Sequence, residues 1–332
     1  MHLNEERLID DFQRPITYLR LSVTDRCNLR CVYCRPAHSI AMLRHSEVLR
    51  HEEFLRLVRI AARMGFKKVR VTGGEPLVRR GVIDFLSALT EIQGLSDISL
   101  TTNGVMLKNH LQEIRNAGIR RLNISLDTLD PRKFKDITGF DRFDDVWEAI
   151  LLAHEMGFSP IKINVVALNG INDAELADLA GLSFQYPFHV RFIEYMPVGS
   201  SVTTSYQHLP VEGIMKRVQV LGQLIPVPHE ASDGPADRFR FEGAMGQIGI
   251  IGAISHRFCH CCNRLRLTAS GQLRPCLFSN DFLDIRAALR KGMLDEDLAE
   301  IFKAAVRMKP KNHQVETETW RQVGALMSSV GG

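Results

Sequence analysis

The chain has 332 residues, 45% of them hydrophobic, and a formal net charge of +4. That length suits one large or two medium α/β domains with a sizeable core. The small charge gives no argument for nucleic acid, and there is no run of about 18 apolar residues to cross a membrane. The opening Met1-His2-Leu3-Asn4-Glu5-Glu6 carries no signal-peptide core. Seven cysteines stand in two tight sets, at 27–34 and 259–276. They look like metal sites in a reducing, cytoplasmic compartment and not like a disulfide framework.

In chain order, the pattern predicts strands over 18–23, 68–72, 97–101, 121–125, 161–166 and 189–194. Helices are expected between them over 52–64, 82–92, 108–117, 143–156 and 173–182. Alternating strands and helices imply parallel strands joined by right-handed crossovers. The expected fold is therefore α/β: a partial (β/α)6 TIM-type barrel over 1–200, with its site at the C-terminal ends of the strands. Beyond it the pattern loosens into polar loops at 199–205 and 226–237, followed by a β-rich stretch at 248–254. We expect 201–332 to form a smaller α+β region that closes the open side of the barrel.

The strands also alternate at period two. Arg20, Ser22, Lys68, Arg70, Thr72, Ser99, Thr101, Asn123, Ser125, Lys162 and Asn164 take one face and apolar residues the other. Helices cover the apolar face, so the polar face must line the lumen. Arg20, Arg70, Lys162 and Arg191 would meet there and need an anion, since buried cations left together are costly. The alternative is a set of internal ion pairs.

The first cysteine set, Cys27-Asn28-Leu29-Arg30-Cys31-Val32-Tyr33-Cys34, directly follows the first strand. A [4Fe–4S] cluster normally takes four thiolates, so three leave one iron open for a ligand. A zinc site is the alternative, with His38 nearby. Thr72-Gly73-Gly74-Glu75-Pro76 follows the second strand. Its glycines would let the backbone approach a ligand, and Glu75 could accept bonds from an ammonium. The second set gives Cys259, Cys262 and Cys276 if Cys261 is a bystander, and is then again one ligand short of a closed cluster. Arg264 and Arg266 alternate beside it.

The C-x3-C-x2-C run with Tyr33 before its last cysteine, joined to the Gly73-Gly74-Glu75 turn, resembles the radical S-adenosylmethionine (SAM) superfamily. Adding Thr101-Thr102-Asn103-Gly104, Asn123-Ile124-Ser125-Leu126-Asp127, Arg191-Phe192-Ile193-Glu194, the second cysteine set and the C-terminal Gly331-Gly332 narrows this. Over nearly its whole length the chain is similar to the GTP 3′,8-cyclases of molybdenum cofactor biosynthesis. The resemblance implies that Cys27, Cys31 and Cys34 hold a [4Fe–4S] cluster whose open iron takes SAM. Cys259, Cys262 and Cys276 would hold an auxiliary [4Fe–4S] cluster that meets guanine. Tyr33, Gly74, Glu75, Ser125 and Met196 would surround SAM. Arg20, Arg70, Thr101, Lys162, Arg191, Arg264, Leu265 and Arg266 would bind GTP. Arg264, Arg266, Gly331 and Gly332 would act at the reacting centre.

The implied reaction uses a 5′-deoxyadenosyl radical to take H-3′ from GTP. It yields (8S)-3′,8-cyclo-7,8-dihydroguanosine 5′-triphosphate, which passes to cyclic pyranopterin monophosphate synthase. A homodimer is implied, with a small electron donor such as flavodoxin or ferredoxin and with no membrane or nucleic-acid partner. Two rivals remain at this point: a peptide-modifying radical SAM enzyme, and a zinc-dependent RNA-binding module that would use the Arg264/Arg266 strand.

Overall fold

A computed structural model describes residues 8–34, 42–198, 208–228, 234–313 and 327–331. His38, the 199–205 loop, part of the 226–237 loop and Gly332 lie outside these. Six strands fall where the alternation puts them: β1 Tyr18–Ser22, β2 Lys68–Thr72, β3 Asp97–Thr102, β4 Arg121–Ser125, β5 Ile161–Ala167 and β6 His189–Glu194. The C-terminal half adds β7 Ile225–Pro226, β8 Asp237–Arg240, β9 Gln247–Ile251, β10 Arg264–Leu267, β11 Gln272–Arg274 and β12 Leu283–Asp284. All described strands join one sheet in the order β12-β11-β10-β1-β2-β3-β4-β5-β6-β9-β8-β7. β10 pairs parallel with β1 and β9 pairs parallel with β6. The 201–332 segment thus extends both edges of the six-stranded sheet with parallel strands. Residues 252–263 then run from one new edge to the other, carrying Cys259 and Cys262.

The helices are α1 His51–Arg63, α2 Val82–Thr90, α3 Leu111–Asn116, α4 Pro131–Thr138, α5 Phe143–Glu155, α6 Leu176–Gln185, α7 Val211–Val218, α8 Ile285–Arg290, α9 Asp295–Arg307 and α10 Met327–Val330. Three differ from expectation, the first being the helix expected over 173–182, which begins as a 3-10 turn, Asp173–Glu175, before α6. The helix expected over 108–117 begins as a 3-10 turn, Leu107–His110, and only then becomes α3. α4 was missed although its punctuation is complete. Asp130 caps it by accepting from Arg132 N, Pro131 opens it, and Gly139 closes it at φ 78°.

The apolar strand face is the core. Leu19, Leu21, Val69, Val71, Leu100, Leu122, Ile124, Ile163 and Val165 are fully buried with Phe54, Leu57 and Val58 of α1. Each such side chain contributes about 1.5–3 kcal/mol. The polar face is thereby held toward the lumen. No helix among the described residues is long and apolar enough to cross a membrane.

Candidate active site

One cavity opens at the C-terminal ends of the strands, and both cysteine sets line it. Its walls include Cys27, Cys31 and Cys34, then Cys259, Cys262 and Cys276, and between them Arg20, Arg70, Thr101, Arg191, Arg264 and Arg266. Tyr33, Gly74, Ser125 and Met196 line it as well. The two triads, distant in sequence, therefore face one space.

The first triad is placed by main-chain packing. Gly74 N donates to Thr24 O (2.7 Å) and Glu75 N to Arg26 O (2.8 Å), so the Gly-Gly turn docks on the segment just before Cys27. A Cβ on Gly74 would stand 2.2 Å from Arg26 O, and one on Gly73 would stand 2.7 Å from Thr24 O. The glycines thus allow this backbone contact, and both also line the cavity. Glu75 is placed elsewhere. It is fully buried and outside the cavity lining. Its carboxylate accepts from Leu77 N (3.0 Å), Thr102 Oγ1 (2.8 Å) and Asn103 N (2.6 Å). Burial raises it to about 7 against those donors. Glu75 is a buckle between the ends of β2 and β3. Glu75→Gln presents an NH2 to one of these donors, so we expect a loss of about 1–3 kcal/mol in a denaturant titration.

Tyr33 Oη donates to Asp127 Oδ2 (2.7 Å), and Val166 N donates to Asp127 Oδ1 (2.8 Å). This fixes the aromatic ring between Cys31 and Cys34. Burial, then the neighbouring Cys34, Asp127 and Cys27, push the Cys31 thiol well above its ordinary range. Burial, partly offset by a backbone hydrogen bond, likewise raises Cys259, with Cys276 and Cys262 adding to the shift. In each triad the thiols sense one another's charge. Among the described residues, however, no three Cys, His, Asp or Glu side chains gather as a single metal ion needs. Three thiols of each set line the cavity, and cysteine thiolates are the ligands that hold an iron–sulfur cluster. Cys262 behaves differently. Burial opposes its ionisation, but Arg264 and Lys309 bring it down to about 6.

The lumen is strongly cationic. Arg266, Arg20 and Arg70 stand in register on three adjacent strands. Across from them, Arg191 Nη2 donates to Asn123 Oδ1 and Asn164 Oδ1, both at 2.6 Å. Gly249 makes room, since a Cβ there would meet Arg191 Cγ at 2.8 Å. Tyr18 reports the field. Burial alone would raise its phenol, yet Arg70, Arg20, Lys68 and Arg264 lower it. Burial and the other cations also lower Arg20 well below its usual value, Arg191 to about 9 and Arg266 to about 10. Arg70 Nε, Arg191 Nε, Tyr18 Oη, Ser99 Oγ and Thr101 Oγ1 are buried with no hydrogen-bond partner among the described residues. Guanidinium groups do not give up their proton, so this arrangement is built for a polyanion.

Four further placements refine the sequence reading. Lys68 is ion-paired with Asp97 (2.7 Å), which also meets Arg121 (2.8 Å), so internal pairing holds for that cation. Lys162 is outside the main cavity. It lines a small pocket at the N-terminal ends of the strands with His189 and Arg238, and Arg191 is shared between the two spaces. Burial, Arg191 and Arg121 bring it down to about 6. Leu265 offers no side chain to the cavity. It is fully buried in the core, on the face opposite Arg264 and Arg266. Gly331, at φ 72°, reaches the lumen, where its carbonyl accepts from Arg266 Nη1 (2.7 Å) and a Cβ would strike Thr72 Cγ2 at 2.5 Å.

Several lining residues were not foreseen: Asp127, Phe258, Lys309 and His313. Asn164 was legible from its place in the alternation. Lys309 and His313 carry no local signal.

Comparison with known proteins agrees with this geometry. Residues 21–182 match the radical SAM superfamily, and residues 188–315 match the molybdenum cofactor synthesis C family. A GTP 3′,8-cyclase of Heliobacterium modesticaldum is 47% identical over 98% of this chain and 100% of its own length. The chain belongs to the GTP 3′,8-cyclase family. Another member, from Moorella thermoacetica, is 46% identical over 97% of this chain and 99% of its own. Beyond the cyclases, the fold resembles the crystal structure of Streptococcus suis SuiB bound to S-adenosylmethionine. There the TM-score is 0.64 at 16% identity, over 89% of this chain and 68% of that one. The α/β barrel is thus shared well beyond the cyclase family.

Proposed function

We propose that this chain is a GTP 3′,8-cyclase. It converts GTP to (8S)-3′,8-cyclo-7,8-dihydroguanosine 5′-triphosphate with SAM and two [4Fe–4S] clusters, the first step of molybdenum cofactor biosynthesis. The observation that carries this reading is the lining of one cavity by two cysteine triads with buried guanidinium groups between them. SAM bound at the first cluster supplies radical hydrogen abstraction, which is the cofactor's own chemistry.

The protein's part is to hold and orient. Cys27, Cys31 and Cys34 take the first cluster, with Gly74, Ser125, Met196 and Tyr33 around SAM. Cys259, Cys262 and Cys276 take the second, against the guanine. Arg20, Arg70, Thr101 and Arg191 hold the triphosphate, with Lys162 below them. Arg264 and Arg266 stand between the triphosphate and the second triad. Gripping the nucleotide at both ends keeps C3′ in place for attack and replaces water around the reacting atoms. Gly331 meets Arg266 with no side chain to fill the space, and Gly332 would act there with it. We further read the enzyme as a cytoplasmic homodimer that receives electrons from a small flavodoxin or ferredoxin and passes its product to cyclic pyranopterin monophosphate synthase.

The test is anaerobic reconstitution with iron and sulfide, followed by SAM, a reductant and a panel of nucleotides. We expect 5′-deoxyadenosine to form in step with GTP consumption and not with ATP, CTP or UTP. SAM cleavage coupled equally to every nucleotide, or no cleavage at all, would overturn the reading.

A further inference from the structure

Lys309 lies just past the end of α9, yet it is only 4% exposed. Its ammonium donates to Arg264 O (2.9 Å), Pro275 O (2.9 Å) and Cys262 Sγ (3.4 Å). An ammonium has three N–H donors, and here each has an acceptor, which is what a buried lysine needs. The acceptors are Cys262 itself, the carbonyl two residues after it, and the carbonyl immediately before Cys276. One side chain therefore ties the start of β10 to the turn after β11, at the points where two of the second triad's cysteines stand.

The next residues repeat the pattern. Pro310 O accepts from Arg14 Nη2 (2.8 Å) and Lys311 O from Arg14 Nη1 (3.1 Å). Arg14 Nη1 also donates to Cys259 O (2.6 Å), and its Nε is held by Asp10 Oδ2 at 2.6 Å. His313 Nε2 bonds to Ala253 O (2.7 Å), and its ring packs against Phe278, 4.6 Å between centroids. Within five residues this segment engages the chain at or beside all three cysteines: Cys259 through Arg14, Cys262 at its sulfur and through Arg264 O, and Cys276 through Pro275. Metal ligation does not require such contacts. They set ligand spacing without coordinating anything, as outer-shell partners do.

We propose that residues 309–313 form a clasp that assembles the second cysteine triad before any cluster is present, with Lys309 as its central positioning residue. The proposal rests on the reading that this triad holds a cluster. It adds that the protein sets the geometry in advance, so that 259–262 and 276 need not be drawn together by the metal. It also adds that Lys309 donates a hydrogen bond to the Cys262 sulfur, and a hydrogen bond to a ligand sulfur eases reduction of whatever cluster forms there.

The test uses the full chain. In the metal-free protein, an amine-acylating reagent followed by mass spectrometry should label Lys309 about tenfold or more slowly than the exposed Lys291, because a preformed clasp must open first. Lys309→Met and Lys309→Arg are then reconstituted beside the unaltered chain. Iron, sulfide, the EPR signal of each cluster and midpoint potentials are measured. We expect the first triad to load normally in both variants, which also reports that they fold. In Lys309→Met the second cluster should be lost, or its potential should move in the negative direction. Lys309→Arg should restore much of the potential and less of the occupancy.

Labelling of Lys309 as fast as Lys291 would overturn the clasp. So would a Lys309→Met protein with two clusters and unchanged signals and potentials. An unaltered chain that loads only one cluster would instead bring down the reading of the second triad, and the clasp with it.

Discussion

Gly74→Ala is expected to abolish loading of the first cysteine triad while leaving the second intact. The added Cβ would stand 2.2 Å from Arg26 O, 2.6 Å from Arg26 C and 3.1 Å from Asp25 O. All three are main-chain atoms, so no rotamer change can relieve the contact. The turn must separate from 24–26, breaking the Gly74 N–Thr24 O and Glu75 N–Arg26 O bonds. Overpacking of this kind costs about 1–3 kcal/mol in a core. The larger consequence is geometric, because Cys27 is the next residue and ligand distances tolerate shifts of only about 0.2 Å. Iron content after reconstitution should fall toward half, and SAM cleavage should be lost. Gly65→Ala is the control. Gly65 has positive φ, 91°, and a Cβ there meets nothing within 4 Å. It should lose only about 1 kcal/mol of stability and load both triads. A Gly74→Ala protein with full iron and normal SAM cleavage would refute the docking argument.

The barrel was legible because each of its strands repeats one physical demand. Arg20 beside Leu19 and Leu21, or Lys162 between Ile161 and Ile163, can satisfy a helix-covered outer face and a polar lumen in only one register. The same alternation in Arg264-Leu265-Arg266-Leu267 identified a strand with a cationic face. It did not reveal that this strand pairs with β1, since a pairing across more than 240 residues leaves no local trace. Leu265 shows the limit of transferring a role by position alone, because the side chain belongs to the apolar face. Glu75 was visible as an acid beside a Gly-Gly turn. Its direction is set by Thr102 and Asn103 on the neighbouring strand, and nothing near Glu75 in sequence shows where those donors lie. Lys309 and His313 follow a helix end in an unpatterned stretch, and their partners lie 34 to 60 residues away. Such residues can be found only after the chain has folded.

Arg70→Ala is expected to separate two quantities that usually fall together. In the protein without nucleotide, Arg70 opposes the charge on Arg20, Lys162 and Arg191. Its guanidinium lies 5.6 Å from the Tyr18 ring centre, and its Nε has no hydrogen-bond partner among the described residues. Removing it relieves repulsion and an unmet donor, so the melting temperature of the free protein should hold or rise. Nucleotide binding should move the other way. Losing one partner of a buried, charge-assisted contact costs about 2–5 kcal/mol, or roughly 30- to 5,000-fold in affinity. GTP should then stabilise the variant less, because the shift produced by a ligand follows the logarithm of its concentration over Kd. Arg70→Lys keeps the charge but loses the planar fork, and should fall between the two. Calorimetric titration with GTP, together with melting curves with and without nucleotide, gives both quantities. Unchanged affinity in Arg70→Ala would remove Arg70 from the triphosphate site. Lower stability of the nucleotide-free protein would show that the cationic lumen is compensated from within, and that its charge is not kept for the substrate.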